Sequence, residues 1–132
     1  MILGVGVDLV HVPRIVALTR RKGYDRFAKR ILSASEHSDW LKLDKNQTDI
    51  CTRFLAVRWG IKEAAYKAFF PAVKPTWKEL TYQGHVNGTQ VKPAVFYHPV
   101  DSLDSRKVGS IRASISHDGD YVLAFVVVGV PN

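Results

Sequence analysis

The chain has 132 residues, a length that predicts one domain able to fold without disulfides or a structural metal. Its single cysteine, Cys51, excludes an internal disulfide, favours a reducing intracellular compartment and is predicted to be a small packing residue. No apolar run reaches the roughly 18 residues that a membrane-spanning helix needs. The N-terminus, MILGVGVDLV, lacks the charged leader of a signal peptide and is expected to form a buried strand.

Positive charge is concentrated near the N-terminus. The net charge is +7, and seven of the 19 Lys and Arg residues precede position 31. Only Asp8 and Asp25 oppose them, so seven minus two leaves +5 of the net charge in this segment. Such clustering favours an anionic partner. Charge alone leaves open nucleic acid, an anionic membrane, an acidic protein and a merely solubilising surface.

The first half of the chain predicts a strand followed by helices. Residues 2–9 are predicted to form the strand, and a helix opens at His11-Val12-Pro13 and ends at Gly23. Two short helices are expected over residues 24–32 and from Ser33 to Leu43.

The strongest periodic signal predicts a long amphipathic helix over residues 48–69, stopped by the prolines that follow. Its apolar stripe consists of Ile50, Phe54, Val57, Ile61, Ala64 and Ala68.

The second half of the chain changes to the period of strands. Asn87-Gly88 predicts a two-residue hairpin turn, and residues 99–109 predict a polar connection with one helical turn. Strands are expected over residues 112–116 and 121–128, the latter buried, with a turn at Asp118-Gly119. These elements predict an α+β fold in which a small antiparallel sheet wraps the long helix.

Two acidic residues, Asp8 and Glu63, are candidates for either a structural or a functional role. Asp8 lies near the end of an apolar strand, where an unpaired buried carboxylate is costly, so it is expected either to cap the next helix or to bind a cation. On the long helix Trp59, Glu63 and Lys67 share one face, and Glu63 with Lys67 also has the spacing of an ordinary salt bridge. Spacing does not decide between these alternatives.

The run Ser116-His117-Asp118 suggests a hydrolase triad. Adjacent residues of a strand point to opposite faces, however, so this run does not form one.

Three motifs together resemble the holo-acyl-carrier-protein synthases, the small phosphopantetheinyl transferases. The motifs are GVGVDLV at 4–10, RFLAVRWGIKEAAYKAF at 53–69 and SISHDGDYVLAFVVV at 114–128, the last with Val122 where alanine is usual. Their order and separation match, and the resemblance spans nearly the whole chain. Residues 77–104 are similar to those of fungal organellar members, which implies a mitochondrial protein if the source is eukaryotic and a cytoplasmic one otherwise.

The resemblance implies a role for individual residues. Asp8 and Glu63 match the ligands of a Mg²⁺ that also holds the coenzyme A pyrophosphate, and Lys67 matches the lysine that neutralises the transferring phosphate. The positions that match contacts to the coenzyme A nucleotide are Arg58, Lys62, Ser116 and His117. The positions that match the basic helix receiving the acidic acyl carrier protein are Arg14, Arg20 and Arg21.

The implied reaction is attack by a carrier-protein serine on the β-phosphate of coenzyme A, with 3′,5′-ADP leaving. The serine proton could go to Glu63 or to a metal-bound water. Members of the family commonly form homotrimers, and neither nucleic acid nor membrane binding is expected. The rival hypotheses are a small basic nucleic-acid-binding domain and a carrier-binding scaffold without catalysis; the presence of Asp8, Glu63 and Lys67 together opposes the second.

Overall fold

A computed structural model describes residues 1–132 and has an α+β fold with two antiparallel sheets around a long helix. In chain order the elements are β1 (Ile2–His11), α1 (Val12–Lys22), α2 (Tyr24–Ile31), α3 (Ala34–Leu41), α4 (Thr48–Phe69), β2 (Leu80–Val86), β3 (Thr89–Tyr97), β4 (Ile111–Asp118) and β5 (Tyr121–Gly129). Short 3-10 helices cover Trp77–Glu79 and Ser102–Lys107. The predicted fold class is confirmed, and α4 has the predicted bounds.

The three-stranded sheet has the order β1-β5-β4. Gly6 pairs with Val126 and Asp8 pairs with Ala124. Because side chains alternate along a strand, these residues face α4, whereas Val5 and Val7 point to the other side of the sheet. The register therefore aims the Asp8 carboxyl at the central helix.

Two glycines allow β1 to lie directly on α4. A Cβ added at Gly4 or Gly6 would come within 1.9 Å of the Ala68 carbonyl oxygen or 1.7 Å of that of Ala64. No side chain fits in that space, so only glycine permits this strand-to-helix distance. The close approach sets the separation between Asp8 and the side chains of α4.

The core consists of two apolar clusters, one at each half of α4. The C-terminal half packs against the sheet and Leu80, and the N-terminal half packs against α1, α2 and Trp40. The predicted stripe of α4 is correct at Ile61, Ala64 and Ala68, whereas Ile50 is half exposed. Additional buried positions are Cys51, Leu55, Ala56, Ala65 and Phe69. Neighbours on several sides bury more of α4 than one stripe.

The predicted hairpin is present between β2 and β3. Asn87 and Gly88 have positive φ values of 52° and 78°, as the turn most common in two-residue hairpins requires. The polar connection that follows does contain a helical turn, at Ser102–Lys107.

Several predicted elements differ from the structure. The third helix ends at Leu41 rather than Leu43, with Lys42 as its C-cap, whereas β1 extends to His11 and β4 spans Ile111–Asp118, both longer than predicted. The prediction that β5 is buried is correct for one face only. Val122, Ala124, Val126 and Val128 are buried, whereas Tyr121, Leu123 and Phe125 are each at least 40% exposed. Only one face of the three-stranded sheet is covered within one chain. No helix of the structure is long and apolar enough to cross a membrane.

Candidate active site

Asp8 and Glu63 meet where β1 crosses α4. Glu63 follows Gly60 by three residues and precedes Lys67 by four, so these three residues lie on the side of α4 that faces β1. A Cβ on Gly60 would lie 3.9 Å from Asp8 Oδ2, which shows how closely the carboxyl packs on the helix. Two acids 55 residues apart in sequence thus share one small region.

Lys67 connects the strand to the helix. Its Nζ donates a 2.8 Å hydrogen bond to the Val7 carbonyl and lies 3.5 Å from Asp8 Oδ1. Glu63 has no ion-pair partner, so the predicted alternative of an ordinary Glu63–Lys67 salt bridge is wrong. The alternative that Asp8 caps the next helix is also wrong, since His11 occupies that position without a side-chain cap.

Burial disfavours the charged form of both acids, and repulsion from Asp8 adds to this effect at Glu63. Partial burial raises the pKa of Asp8, although the positive charges of Lys67 and Arg14 oppose this. Partial burial and the neighbouring Asp8 charge raise the pKa of Glu63, again against Lys67 and Arg14. Asp8 and Glu63 together carry two negative charges when ionised, and Lys67 offsets only one of them. A further positive charge near the two carboxylates would therefore stabilise their ionised forms.

Glu63 opens into a cavity of about 370 Å³. Its walls come from α4 and from the segment that leads into β2, and the lining residues are Lys62, Glu63, Tyr66, Pro75, Thr76, Trp77 and Leu80. Aromatic and aliphatic side chains beside one carboxylate suit an elongated ligand of mixed polarity.

Arg58 lines a second, larger cavity of about 720 Å³ between α3, α4 and the β2–β3 hairpin. Its guanidinium lies 3.5 Å from the centre of the Phe54 ring and 5.2 Å from that of Tyr82. One N–H bonds the Phe54 carbonyl at 3.2 Å, whereas the buried Nε has no partner. Arg58 and Glu63 therefore do not share a cavity within one chain.

Lys62, predicted to contact the nucleotide, is only 2% exposed. Its ammonium bonds Glu36 and the carbonyls of Ile31 and Trp77, and this placement favours a structural role.

The remaining predicted residues lie on exposed surfaces. Ser116 and His117 are at the end of β4, where Ser116 pairs with Leu123 and His117 with Val122. Neither lines the two cavities described above. Arg14, Arg20 and Arg21 are exposed on α1, and Arg14 is close enough for its charge to act on both Asp8 and Glu63.

Sequence reasoning missed the residues that support this site. Gly60 makes room for the Asp8 carboxyl, and Glu36 pairs with Lys62 in the interior. Ser33 and Glu36 form the capping box at the start of α3, and this local role by itself accounts for a glutamate at that position. No local signal revealed that the same carboxylate is buried against another helix.

Solved structures share this arrangement of elements. The structure is similar to the holo-[acyl-carrier-protein] synthase of Neisseria meningitidis, with a TM-score of 0.78 and 32% identity over 97% of this chain and 98% of that one. It is also similar to the Bacillus anthracis enzyme in complex with CoA (3′,5′-ADP), with a TM-score of 0.72 and 25% identity over 97% and 96%.

Sequence comparison agrees. The chain is 47% identical over 129 residues to the holo-[acyl-carrier-protein] synthase of Cronobacter sakazakii, covering 96% of this chain and 97% of that protein. Residues 4–126 match the family model of the 4′-phosphopantetheinyl transferase superfamily. The chain therefore belongs to the 4′-phosphopantetheinyl transferase superfamily.

Proposed function

We propose that this protein is a holo-[acyl-carrier-protein] synthase, which transfers the 4′-phosphopantetheine moiety of coenzyme A to a serine of apo-acyl carrier protein. The products are holo-acyl carrier protein and 3′,5′-ADP. The observation that carries the proposal is the convergence of Asp8, Glu63 and Lys67 where β1 crosses α4, with Glu63 lining a cavity, in a chain of this superfamily. The proposal is supported by relatives that carry this activity in their names and that the chain matches over nearly their whole length. One of them was solved in complex with CoA (3′,5′-ADP).

The two carboxylates fit a divalent cation. Mg²⁺ is bound in proteins by one or two carboxylates and completes its coordination with waters and substrate phosphate oxygens. Asp8 and Glu63 supply that number of ligands, and no group of three or more metal-binding side chains is present in the chain. When bound there, Mg²⁺ would offset the negative charge of the coenzyme A diphosphate.

Lys67 and Glu63 have separate tasks in the transfer. The serine oxygen bonds to the β-phosphorus, and the bond from this phosphorus to the oxygen bridging the two phosphates breaks, so 3′,5′-ADP leaves with the electron pair. The Lys67 ammonium, half exposed and held at the Val7 carbonyl, is placed to neutralise charge on the transferring and leaving oxygens. The Glu63 carboxylate, which lines the cavity of about 370 Å³, is proposed to accept the serine proton.

The acyl carrier protein is proposed to dock on α1 through acidic side chains. Arg14, Arg20 and Arg21 are exposed there, and Arg14 lies near the two carboxylates. A neighbouring cavity of about 230 Å³ combines basic residues with the apolar Leu18 and Trp59. A surface with a basic rim and an apolar centre suits an amphipathic acidic helix.

The protein is proposed to act as a homotrimer in which a second copy completes the site. Val7 pairs with Phe125 and Leu9 with Leu123 on the uncovered face of the sheet, and all four are at least 40% exposed. A contiguous apolar face of this kind favours a protein contact. Ser116 points to the same face beside Leu123, so its predicted contact with coenzyme A would reach the site of a neighbouring subunit. The cellular compartment stays a prediction from the sequence.

Mass spectrometry of apo-acyl carrier protein tests the reaction. Incubation with coenzyme A, Mg²⁺ and this protein is expected to add one phosphopantetheine unit, and chelation of the metal is expected to prevent the addition. A carrier whose acceptor serine is replaced by alanine is the matched control. An unchanged carrier mass in the complete mixture would contradict the proposal.

A further inference from the structure

Two opposite charges are buried together behind the candidate active site. The Glu36 and Lys62 side chains are each 1% exposed, and Lys62 Nζ lies 2.5 Å from Glu36 Oε1. Burying a charged pair is costly unless other groups satisfy its remaining hydrogen bonds. Those further hydrogen bonds show what the pair holds in place.

All three protons of the Lys62 ammonium are used inside the protein. Besides Glu36, they go to the Ile31 carbonyl at the end of α2, at 2.7 Å, and to the Trp77 carbonyl before β2, at 2.9 Å. An ammonium has three donors and no more. Lys62 therefore has no proton to offer a phosphate unless it abandons one of these bonds.

Glu36 extends the same network to two further elements. Its Oε1 accepts from the Ser33 amide at 2.9 Å at the start of α3, and its Oε2 accepts from the Tyr82 amide at 2.8 Å in β2. The pair thereby joins α2, α3, α4, β2 and the segment before β2.

The pair also lies between the cavity that contains Glu63 and the cavity that contains Arg58. Lys62 lines the cavity that contains Glu63 and Trp77, and Glu36 lines the cavity that contains Arg58 and Tyr82. The pair is hydrogen-bonded to the wall of each cavity. Lys62 donates to the Trp77 carbonyl in the first cavity, and Glu36 accepts from the Tyr82 amide in the second.

We propose that Glu36 and Lys62 are positioning residues of the transfer site, and this inference rests on the proposed function. Consecutive residues of a helix point about 100° apart, so holding Lys62 on the inner side fixes the rotation of α4 at which Glu63 faces Asp8. The same bonds fix the walls on both sides of the pair. Neither side chain touches the substrate.

Three variants test the proposal: Lys62→Met, Glu36→Gln and the double variant E36Q/K62M. Each is assayed with coenzyme A and carrier protein varied separately, and coenzyme A binding and thermal unfolding are measured in parallel. Lys62→Met is expected to lower kcat roughly tenfold or more while the KM and Kd for coenzyme A change less than about threefold. A roughly tenfold rise in the KM for coenzyme A with unchanged kcat would instead make Lys62 a substrate contact and overturn the proposal.

The double variant separates positioning from stability. Lys62→Met leaves a buried carboxylate without a partner, whereas E36Q/K62M removes both charges, so Tm is expected to recover in the double variant. The proposal requires kcat to stay low in the double variant although Tm recovers, because the bonds to Ile31 and Trp77 are still missing. If kcat returns together with Tm, the pair only stabilises the fold and the proposal is wrong.

If Lys62→Met does not fold, the double variant decides the question by the same criterion. The wild-type protein is assayed beside the variants. If the wild-type protein shows no transfer activity, both the proposed function and the positioning role are contradicted. If the wild-type protein is active and the variants keep its kcat, only the positioning role is contradicted.

Discussion

At the residue scale, the proposed chemistry depends on two acids that the fold keeps next to each other and partly away from water. Asp8 and Glu63 are supplied by a strand and a helix, and each has a pKa above its usual range. Lys67 interacts with Asp8, which leaves Glu63 without an ion-pair partner. Glu63 is thus available to a metal ion or to the serine proton.

Glu63→Gln is expected to lower the rate of phosphopantetheine transfer by about 100-fold or more, because the carboxylate is lost and the shape is kept. The Tm is expected to stay equal or rise, since one of two repelling carboxylates is removed. Initial rates and thermal unfolding check this. The matched control is Asp49→Asn, an exposed acid in the first turn of the same helix, which should keep the activity. A Glu63→Gln protein with near-normal rates would show that Glu63 is not needed.

The raised pKa of Asp8 predicts a dependence of stability on pH. A carboxyl whose pKa is raised by folding binds more protons in the native state, so stability falls as pH rises from the ordinary carboxyl pKa of about 4 through the folded value. Asp8→Asn removes this dependence. In metal-free urea unfolding, the variant should therefore gain stability relative to wild type at pH 7 compared with pH 4.5. An equal difference at both pH values would contradict the assigned pKa shift.

At the scale of elements, the contact between β1 and α4 decides whether the site exists. Gly4 and Gly6 place the strand against helix backbone with no space for a side chain. The same contact delivers Asp8 to the helix face that carries Glu63 and Lys67. Stability and chemistry therefore depend on one packing distance.

Gly6→Ala is expected to destabilise the protein by about 3 kcal/mol, because the added methyl group would overlap the Ala64 carbonyl and force β1 away. Transfer activity should fall as well, since Asp8 would move with the strand. Urea unfolding and initial rates measure both effects. Gly119→Ala is the matched control: its methyl group meets open space, and its φ of 54° should cost only about 1 kcal/mol. Similar losses in both variants would show that backbone conformation, not overlap, is the cause.

Helix α1 carries the charge proposed to recognise the carrier. The double variant R20E/R21E is expected to raise the KM for acyl carrier protein roughly tenfold, with little change in kcat or in the KM for coenzyme A. Both arginines are exposed, so the fold should be unaffected. Steady-state kinetics at two salt concentrations provide the measurement, with Lys92→Glu in β3 as a charge-reversal control on another element. Equal effects on both substrates would contradict a carrier-specific surface.

At the scale of the whole molecule, one sheet face lacks a cover within the chain. β1 and β5 contribute adjacent apolar side chains to this face, and Ser116 borders it. The residues predicted to contact the coenzyme A nucleotide lie apart within one chain: Lys62 and Arg58 line different cavities, and Ser116 and His117 lie at the end of β4. Assembly with further copies of the chain would cover the apolar face and bring Ser116 of one subunit toward the candidate active site of the next.

Phe125→Lys is expected to convert the proposed trimer into monomers, because a charge placed in an apolar contact is not easily desolvated. Light scattering measures the mass, and transfer activity is expected to fall with it. Arg112→Ala, on the same face of β4, is the control for a change at the sheet surface without a new charge in the apolar centre. A wild-type monomer of full activity would contradict the assembly.

Much of the fold was predictable because local spacing determines it. The period of α4, the Asn87-Gly88 turn and the Ser33 cap all follow from residues within a few positions of one another. Resemblance to a family added the roles expected of Asp8, Glu63 and Lys67, which the residue patterns alone left open. The stripe of α4 was predicted less well, since its burial depends on elements that contact the helix from several sides.

The sequence by itself determined the elements, their order and the family. Only the tertiary structure decided that Lys67 pairs with Asp8 rather than Glu63, that Lys62 is enclosed with Glu36, and that one face of β5 is uncovered. The physical reason is the range of the interactions. Helices and turns are set by neighbours along the chain, whereas ion pairs and burial depend on segments that meet only after folding.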